Sequence, residues 1–381
     1  MLNRKSNFEL LRIILMCAIP LYHLMLYNGV HYVNEPTSIV ALVLTVGGAI
    51  PADYAFMALS AYFMLESREV KLKRFLFLVA QVLTLYIIKV ATLRGLFGYN
   101  NTEYFVDFFL MKGAWWYIYP YLVLSLVYPW LNSFIERVGH IITCLITVLF
   151  GCLFFYNGIL TQSSFIKDMT AFLFIYFFMA CMRNSGYKRY LGLKTNKYAM
   201  GAIALAAYLI MLGVNLYVKI EGMKYVAEFG SSADGQFAMQ GVIQSARDIF
   251  AGNITDMTYK GLINYTIGKY HFLSMIMGLA VFFMFRDIDI GSKVWINKLA
   301  KTTFYVFLLH DTWMGIFWKL GKCGNDFGYY SMPAFLLWSI LYVASAFVVA
   351  GMIGLLYDRC IKPLWAIVIN RILPDREDMV R

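Results

Sequence analysis

Apolar segments of about 20 residues recur along this chain, and they constrain its fold more than any other feature. Hydrophobic residues make up 61% of the 381 residues and charged residues 14%, whereas a soluble domain usually carries about 25% charged residues. A helix needs about 20 apolar residues to cross a hydrocarbon core about 30 Å thick. The sequence therefore predicts an all-α polytopic membrane protein that forms one integral-membrane domain over residues 1–381.

We predict about ten transmembrane helices from the length and the polar boundaries of these segments. Their approximate spans are Asn7–Gly29, Ser38–Leu65, Phe75–Leu93, Trp115–Leu131, Ile141–Tyr156, Phe172–Met182, Tyr198–Val218, Tyr270–Phe285, Thr302–Trp318 and Pro333–Tyr357. A longer extracytoplasmic loop is expected at about 219–269, and a basic cytoplasmic tail from about 358. Pro51 is expected to kink the second span, because proline disrupts the hydrogen bonds of a helix interior.

Lys and Arg residues are divided unevenly between alternate loops of this topology. Loops on the side of the N-terminus carry 21 of them, and the opposite loops carry 10. Because these residues accumulate in cytoplasmic loops, both termini are predicted to be cytoplasmic. The net charge of +11 is therefore attributed to surfaces beside anionic membrane lipid, and no nucleic-acid partner is expected.

The six cysteines do not follow a pattern that disulfides or metals use. They are scattered without a CxxC pair, and most lie in apolar segments. A thiol in such a segment behaves as a small hydrophobic group. No disulfide framework and no metal site are therefore predicted.

The first apolar segment places two polar residues, Arg12 and His23, inside a membrane-crossing run. Their 11-residue offset corresponds to about 16 Å of rise and lies within about 20° of whole turns, so both should share one helix face. Intramembrane ionisable residues are functional candidates by default. Arg12 near the cytoplasmic end is equally consistent with snorkelling to headgroups, and His23 with helix packing. Their shared face favours an anion site at Arg12, near the membrane surface, and a site for proton chemistry at His23, deeper in the membrane.

Other ionisable residues within the predicted crossings are weaker candidates. His310 and Asp311 are adjacent and therefore point about 100° apart on a helix, so Asp311 need not orient His310. A structural or acceptor-binding role for His310 remains open beside a catalytic one. Asp53 and Lys89 either pair across the second and third helices or line a polar cavity, and the ion pair is the favoured interpretation.

A basic turn precedes the third predicted helix and contains four cations, Arg68, Lys71, Lys73 and Arg74. Ordinary cytoplasmic positive charge explains any one of them. Together they also suit a phosphate-rich ligand, because spaced cations at a helix start neutralise phosphate well.

The order of these motifs resembles the membrane acyltransferase-3 family. NFELLRIILMCAIPLYH is similar to its opening, with Arg12 and His23 at the spacing of its Arg-x10-His pattern. FMALSAY, ending at Tyr62, is similar to its second-helix pattern, with Ala61 where glycine is usual. The Arg-x-x-Arg signature before the third helix is met imperfectly by the basic turn. FLLH, with Phe307 and His310, is similar to its late Tyr-Leu-x-His landmark.

The resemblance implies transfer of an acyl group, with acetyl expected, from cytoplasmic acyl-CoA to a hydroxyl of a surface polysaccharide or lipid-linked sugar. It implies location in the bacterial cytoplasmic membrane. Arg12 and His23 are the catalytic candidates. Arg12 and the basic turn would bind the donor phosphates, and His23 would act as general base on the acceptor hydroxyl or briefly accept the acyl group itself. His310, Tyr62 and Asp53 are expected to bind the acceptor or support the site. A transporter or flippase for a lipid-linked saccharide or small organic acid is the alternative, since it would also use intramembrane charges.

Overall fold

The computed structural model describes residues 6–32, 35–46, 48–97, 116–160, 164–183, 196–229, 272–324 and 326–374. Within these ranges the regular structure is helical and contains no strand, which confirms the predicted all-α class. The helices are α1 Ser6–Tyr27, α2 Pro36–Val46, α3 Ala49–Met64, α4 Leu72–Phe97, α5 Ile118–Leu160, α6 Ser164–Arg183, α7 Lys197–Phe229, α8 Phe272–Arg286, α9 Val294–Ala300, α10 Thr303–Lys319, α11 Met332–Leu356 and α12 Lys362–Ile372. Short 3₁₀ turns lie at Val30–Tyr32 and Phe327–Tyr329, and a π turn at Tyr357–Ile361 joins α11 to α12.

Helix α1 lies at the centre of the helical assembly. It packs against α2, α3, α8, α9, α10 and α11. Leu11, Leu24 and Met25 are fully buried along its length. Because several helices surround α1, its polar residues face protein neighbours rather than lipid alone. This position brings His23 next to α10.

The second predicted crossing is divided into α2 and α3, and the break lies at Gly48 rather than at Pro51. The predicted kink at Pro51 is therefore wrong. Pro51 occupies the first turn of α3, where the missing N–H has no intrahelical partner to lose. The break gives α3 an independent start.

Helix α8 packs closely on α3 at Gly278. A Cβ at this position would lie 2.8 Å from the Cβ of Tyr54 and would also meet the carbonyl oxygen of Pro51. Real side-chain carbons do not approach so closely, so only glycine fits the contact. Gly278 thus fixes the position of α3, which carries Ser60 and Tyr62.

The turn after α3 is held by a buried asparagine of α5. Asn132 Nδ2 donates to the carbonyl oxygens of Met64 (3.0 Å) and Ser67 (2.9 Å), and its Oδ1 accepts from Tyr176 of α6 (2.6 Å). A buried amide with three satisfied hydrogen bonds makes a rigid joint. The basic turn is therefore anchored at its start.

Helix α5 contains a break between the predicted fourth and fifth crossings. Gly139 has a φ of 73°, a left-handed conformation that glycine adopts without steric cost. The 43-residue helix is thus two helical segments joined at this residue. Helices α6 and α8 agree with the sixth and eighth predicted spans within a few residues at their C-terminal ends.

Six of the described segments are long and apolar enough to cross a membrane: Ser6–Tyr27, Pro36–Met64, Leu72–Gly95, Ile118–Phe154, Lys197–Tyr217 and Met332–Ile372. Shorter apolar helices lie at Asp168–Met182 and Phe272–Arg286. The count of ten and the cytoplasmic termini remain predictions. Residues 219–229 continue α7, and the rest of the loop predicted at about 219–269 lies outside the described residues. The chain beyond 357 continues as a helix to Ile372.

Candidate functional site

Two histidines from different helices meet inside the helical assembly. His23 Nδ1 of α1 lies 2.7 Å from His310 Nε2 of α10. Their rings are nearly parallel, with centroids 4.9 Å apart and an interplanar angle of 16°. Asp311 joins them, since its Oδ1 lies 3.5 Å from His23 Nδ1 and 3.2 Å from His310 Nε2. We call these three side chains the histidine cluster.

Backbone and side-chain contacts hold His310 in place. Its Nδ1 lies 2.8 Å from the carbonyl oxygen of Phe307 and 3.1 Å from that of Val306. Tyr342 of α11 donates to the carbonyl oxygen of His310 at 3.0 Å. The side chain is only 3% exposed. The fold therefore determines the position and the ring orientation of His310.

Lys89 of α4 completes the charge balance of the histidine cluster. Its Nζ lies 3.7 Å from Asp311 Oδ2, and the lysine is 7% exposed. A buried carboxylate is costly unless it is paired, so Lys89 helps Asp311 to remain ionised. Sequence reasoning identified both charges but did not place them together, because nothing in the sequence gives the relative rotation of α4 and α10.

A cavity of about 1140 Å³ extends through the helices near the start of α4. Its cationic lining residues are Arg12, Lys71, Arg74, Arg286 and Lys301. Its acidic lining residues are Glu9, Asp53 and Glu66. The cations outnumber the acidic groups, so the cavity suits a ligand that carries several negative charges.

The basic turn contributes unequally to this cavity. Lys71 and Arg74 line it, whereas Arg68 and Lys73 are not among its lining residues. Arg68 is 84% exposed and pairs with Glu136 of α5 at 3.3 Å. The structure therefore brings two of the four predicted cations to the cavity.

Arg12 lines the cavity next to Glu9, one turn earlier on α1. Arg12 Nη1 donates to both Glu9 carboxylate oxygens, at 2.9 and 3.0 Å. This pair places the guanidinium at the cavity wall.

Two cations of the cavity, Arg286 and Lys301, were missed by sequence reasoning. Arg286 ends α8 and contacts both carboxylate oxygens of Asp287 at 2.8 and 3.1 Å. Lys301 follows α9 directly and lies two residues before α10. Both lie at helix ends where the sequence predicts ordinary cytoplasmic charge. Their proximity to the basic turn depends on the packing of α8 and α10, which no local motif reveals.

Aromatic and small polar side chains connect the cavity with the histidine cluster. Tyr62 and Ser60 of the FMALSAY pattern line the cavity, and so does Asp53. The Ser60 hydroxyl lies 3.3 Å from the Tyr117 hydroxyl, and the Tyr117 ring centroid lies 5.8 Å from that of Phe307. Phe307 also lines the cavity, and its ring centroid is 6.3 Å from that of His310.

The histidine cluster is partly exposed at His23 and at its neighbour Tyr27. The His23 side chain is 22% exposed. Tyr27, one helical turn further along α1, stacks obliquely on it with ring centroids 5.2 Å apart. Tyr27 is itself 48% exposed. His23 and Tyr27 are therefore both partly exposed.

The ligating atoms of His23, His310 and Asp311 all lie within 4.8 Å of one another. Two imidazoles and a carboxylate are ligands that zinc also uses. The separation of 2.7 Å between the two ring nitrogens is instead that of a direct hydrogen bond. The sequence-based expectation of no metal stays a prediction.

The fold and the site define an all-helical membrane protein in which a large cationic cavity approaches a buried histidine cluster. The family comparison agrees with this description: the model of the acyltransferase-3 family, an acyltransferase domain, matches residues 5–357. The chain belongs to this family, which confirms the resemblance of its ordered motifs. No curated protein and no solved structure matches the chain.

Proposed function

We propose that the protein transfers an acyl group, with acetyl as the first candidate, from acyl-CoA to a hydroxyl of a surface polysaccharide or lipid-linked sugar. The observation that carries this proposal is the cationic cavity with Phe307 in its wall, because the Phe307 ring centroid lies 6.3 Å from that of His310, the partner of His23. His23 and His310 themselves lie behind this residue and are not among the lining residues. Family membership supports acyl transfer. The donor, the acceptor and the catalytic base are the parts that experiments must test.

The cavity has the charge and size that coenzyme A requires. Its five cations offer guanidinium and ammonium donors, which bind phosphate through charge-assisted hydrogen bonds. Pockets for drug-sized ligands measure about 300–1,000 Å³, and this cavity of about 1140 Å³ is larger. We therefore assign the phosphates to Arg12, Lys71, Arg74, Arg286 and Lys301, and the thioester to the end lined by Phe307.

His23 is the proposed general base. Its imidazole removes the proton from the acceptor hydroxyl while the oxygen attacks the thioester carbonyl, forming a tetrahedral intermediate. Collapse of that intermediate breaks the carbon–sulfur bond and leaves an oxygen ester. The departing thiolate takes up the proton from the imidazolium, which regenerates neutral His23 and releases coenzyme A as the thiol. Atoms, electrons and protons balance without another reactant.

The acceptor is proposed to approach from the side of Tyr27. The aromatic ring gives an apolar face beside His23 and a phenol that can hydrogen bond with a sugar. Donor and acceptor would then reach His23 from opposite ends of α1, which suits transfer from a cytoplasmic donor to an extracytoplasmic acceptor. We accordingly propose the bacterial cytoplasmic membrane as its location.

The test compares wild type with His23→Gln in purified, reconstituted protein. With [¹⁴C]acetyl-CoA and isolated surface polysaccharide, wild type should transfer label to the polymer, and His23→Gln should lose at least about 100-fold in rate, within the range for general bases. Acetyl-CoA should stabilise both proteins equally against heat. Full activity in the variant would refute His23 as base, and transport of intact saccharide without acetyl-CoA use would favour the transporter alternative.

A further inference from the structure

The contacts of His310 determine which of its nitrogens carries the proton. Nδ1 faces two backbone carbonyl oxygens, of Phe307 at 2.8 Å and of Val306 at 3.1 Å. Carbonyl oxygens only accept hydrogen bonds, so Nδ1 must be the N–H donor. In a neutral imidazole the other nitrogen is then an acceptor. Asp311 Oδ1 also lies near this Nε2, at 3.2 Å, but it is a single and longer contact than the carbonyl oxygen 2.8 Å from Nδ1. We therefore place the proton on Nδ1, and Nε2 presents a lone pair to His23 at 2.7 Å.

This assignment determines the tautomer of His23 in turn. His23 Nδ1 lies 2.7 Å from His310 Nε2, and a hydrogen bond at this distance needs one proton between them. Because His310 Nε2 holds none, the proton belongs to His23 Nδ1. His23 Nε2 is thus left with the lone pair that a general base uses.

Asp311, paired with Lys89, is placed to stabilise the positive charge that forms on His23 during the reaction. In the resting state, the Asp311 carboxylate and the Lys89 ammonium balance each other across 3.7 Å. His23 gains its second proton at Nε2, and the positive charge that then spreads over the ring lies near Asp311, whose Oδ1 is 3.5 Å from His23 Nδ1. The carboxylate is therefore already oriented toward the imidazolium, and such preorganisation avoids the cost of rearrangement.

We propose that His310 is a positioning residue that holds His23 as the Nδ1–H tautomer, so that His23 Nε2 faces the acceptor hydroxyl. This inference rests on the proposed function, because it explains how His23 serves as the base. His310 accepts a hydrogen bond from His23 and acts on the reaction through it. Asp311 stabilises the imidazolium, and Lys89 keeps Asp311 charged.

The activity test uses two amide replacements of different length. The side-chain amide of His310→Gln reaches the level of imidazole Nε2 and can accept from His23 Nδ1–H. The shorter amide of His310→Asn stops at the level of Nδ1 and cannot. We expect His310→Gln to retain kcat within about tenfold and His310→Asn to lose about 100-fold or more, with the KM for acetyl-CoA unchanged in both. Equal losses, or an effect on KM alone, would overturn the proposal.

A second measurement reads the tautomer without any turnover. In protein labelled with [¹⁵N]histidine, His23→Gln identifies the His23 signals among those of the five histidines. The wild type should show His23 protonated at Nδ1, and His310→Asn should shift it toward the Nε2–H form. An Nε2–H form in wild type, or a stoichiometric metal bound to His23 Nδ1, would overturn the proposal. The correct tautomer with an active His23→Gln would refute the proposed base while leaving the positioning role intact.

Discussion

The basic turn before α4 offers a matched pair of substitutions, Arg74→Ala and Arg68→Ala. The two residues carry the same charge and lie six positions apart in the sequence. Arg74 lines the cavity, whereas Arg68 is 84% exposed, pairs with Glu136 and is not among the lining residues. If the cavity binds the donor phosphates, only the first substitution should weaken donor binding.

The expected magnitude follows from the environment of Arg74. A hydrogen bond to a charged group contributes about 1.5–3 kcal/mol, and water screens part of this value because Arg74 is exposed. We therefore use about 1.4 kcal/mol, which is a tenfold increase in Kd for acetyl-CoA. Arg68 has no cavity contact to lose, so its replacement should leave Kd within about twofold.

Thermal stabilisation of the purified protein by acetyl-CoA measures this difference. At a ligand concentration of 100 times the wild-type Kd, binding stabilises wild type by about 2.7 kcal/mol. The same concentration is about ten times the Kd of Arg74→Ala, and the stabilisation should fall to about 1.4 kcal/mol. Isothermal titration gives the same Kd directly. Equal losses for Arg68→Ala and Arg74→Ala would refute the assignment of the cavity as donor site.

Two further predictions concern stability. Gly278→Ala should destabilise the protein by about 1–3 kcal/mol through overpacking against α3. Gly213→Ala is the control and should not destabilise it, because a Cβ there meets nothing within 4 Å. Equal melting temperatures of the two variants would contradict this prediction. Burial, with Lys219 nearby, lowers the pKa of His31 from 6.5 to about 3, so the folded state resists a proton that the unfolded chain takes up below pH 6.5. Stability should therefore fall by about 2 kcal/mol between pH 7 and 5. His31→Gln, which keeps a donor for the Thr45 hydroxyl, should remove that slope in a thermal melt.

The sequence predicts α1 and its two polar residues well, because hydropathy and helical periodicity are local properties. Arg12 lies at the cavity and His23 in the histidine cluster, in the order that their 11-residue spacing suggests. The all-α class follows equally directly from the length of the apolar runs. The helices that contact α1 depend on tertiary packing, so hydropathy and periodicity do not predict them.

Asp311 illustrates the limit of helical geometry used alone. Adjacent helix positions point about 100° apart, which argued against cooperation between His310 and Asp311. The two side chains nevertheless converge on His23, because its ring lies between the directions in which they leave α10. The position of a third group on another helix decides this, and the pairing of Lys89 with Asp311 depends on packing for the same reason.

The cations show a related limit. Arg68, Lys71, Lys73 and Arg74 are alike in sequence, and only the distant Glu136 and the cavity wall distinguish Arg68 from Arg74. The prediction of a kink at Pro51 is wrong for a chemical reason. Pro51 is tolerated in the first helical turn, so the interruption lies at Gly48 instead.

The proposed mechanism requires the acyl group of the donor to lie at the Phe307 end of the cavity, beside the histidine cluster. A coenzyme A thioester with a small diazirine-bearing acyl group tests it most directly, by photolabelling followed by peptide mapping. We expect label on α10 between Thr303 and Asp311 or on His23, with competition by acetyl-CoA. Competed label confined to the turn at residues 65–71, at the start of α4, would contradict the claim, because the acyl group would then lie at the opposite end of the cavity.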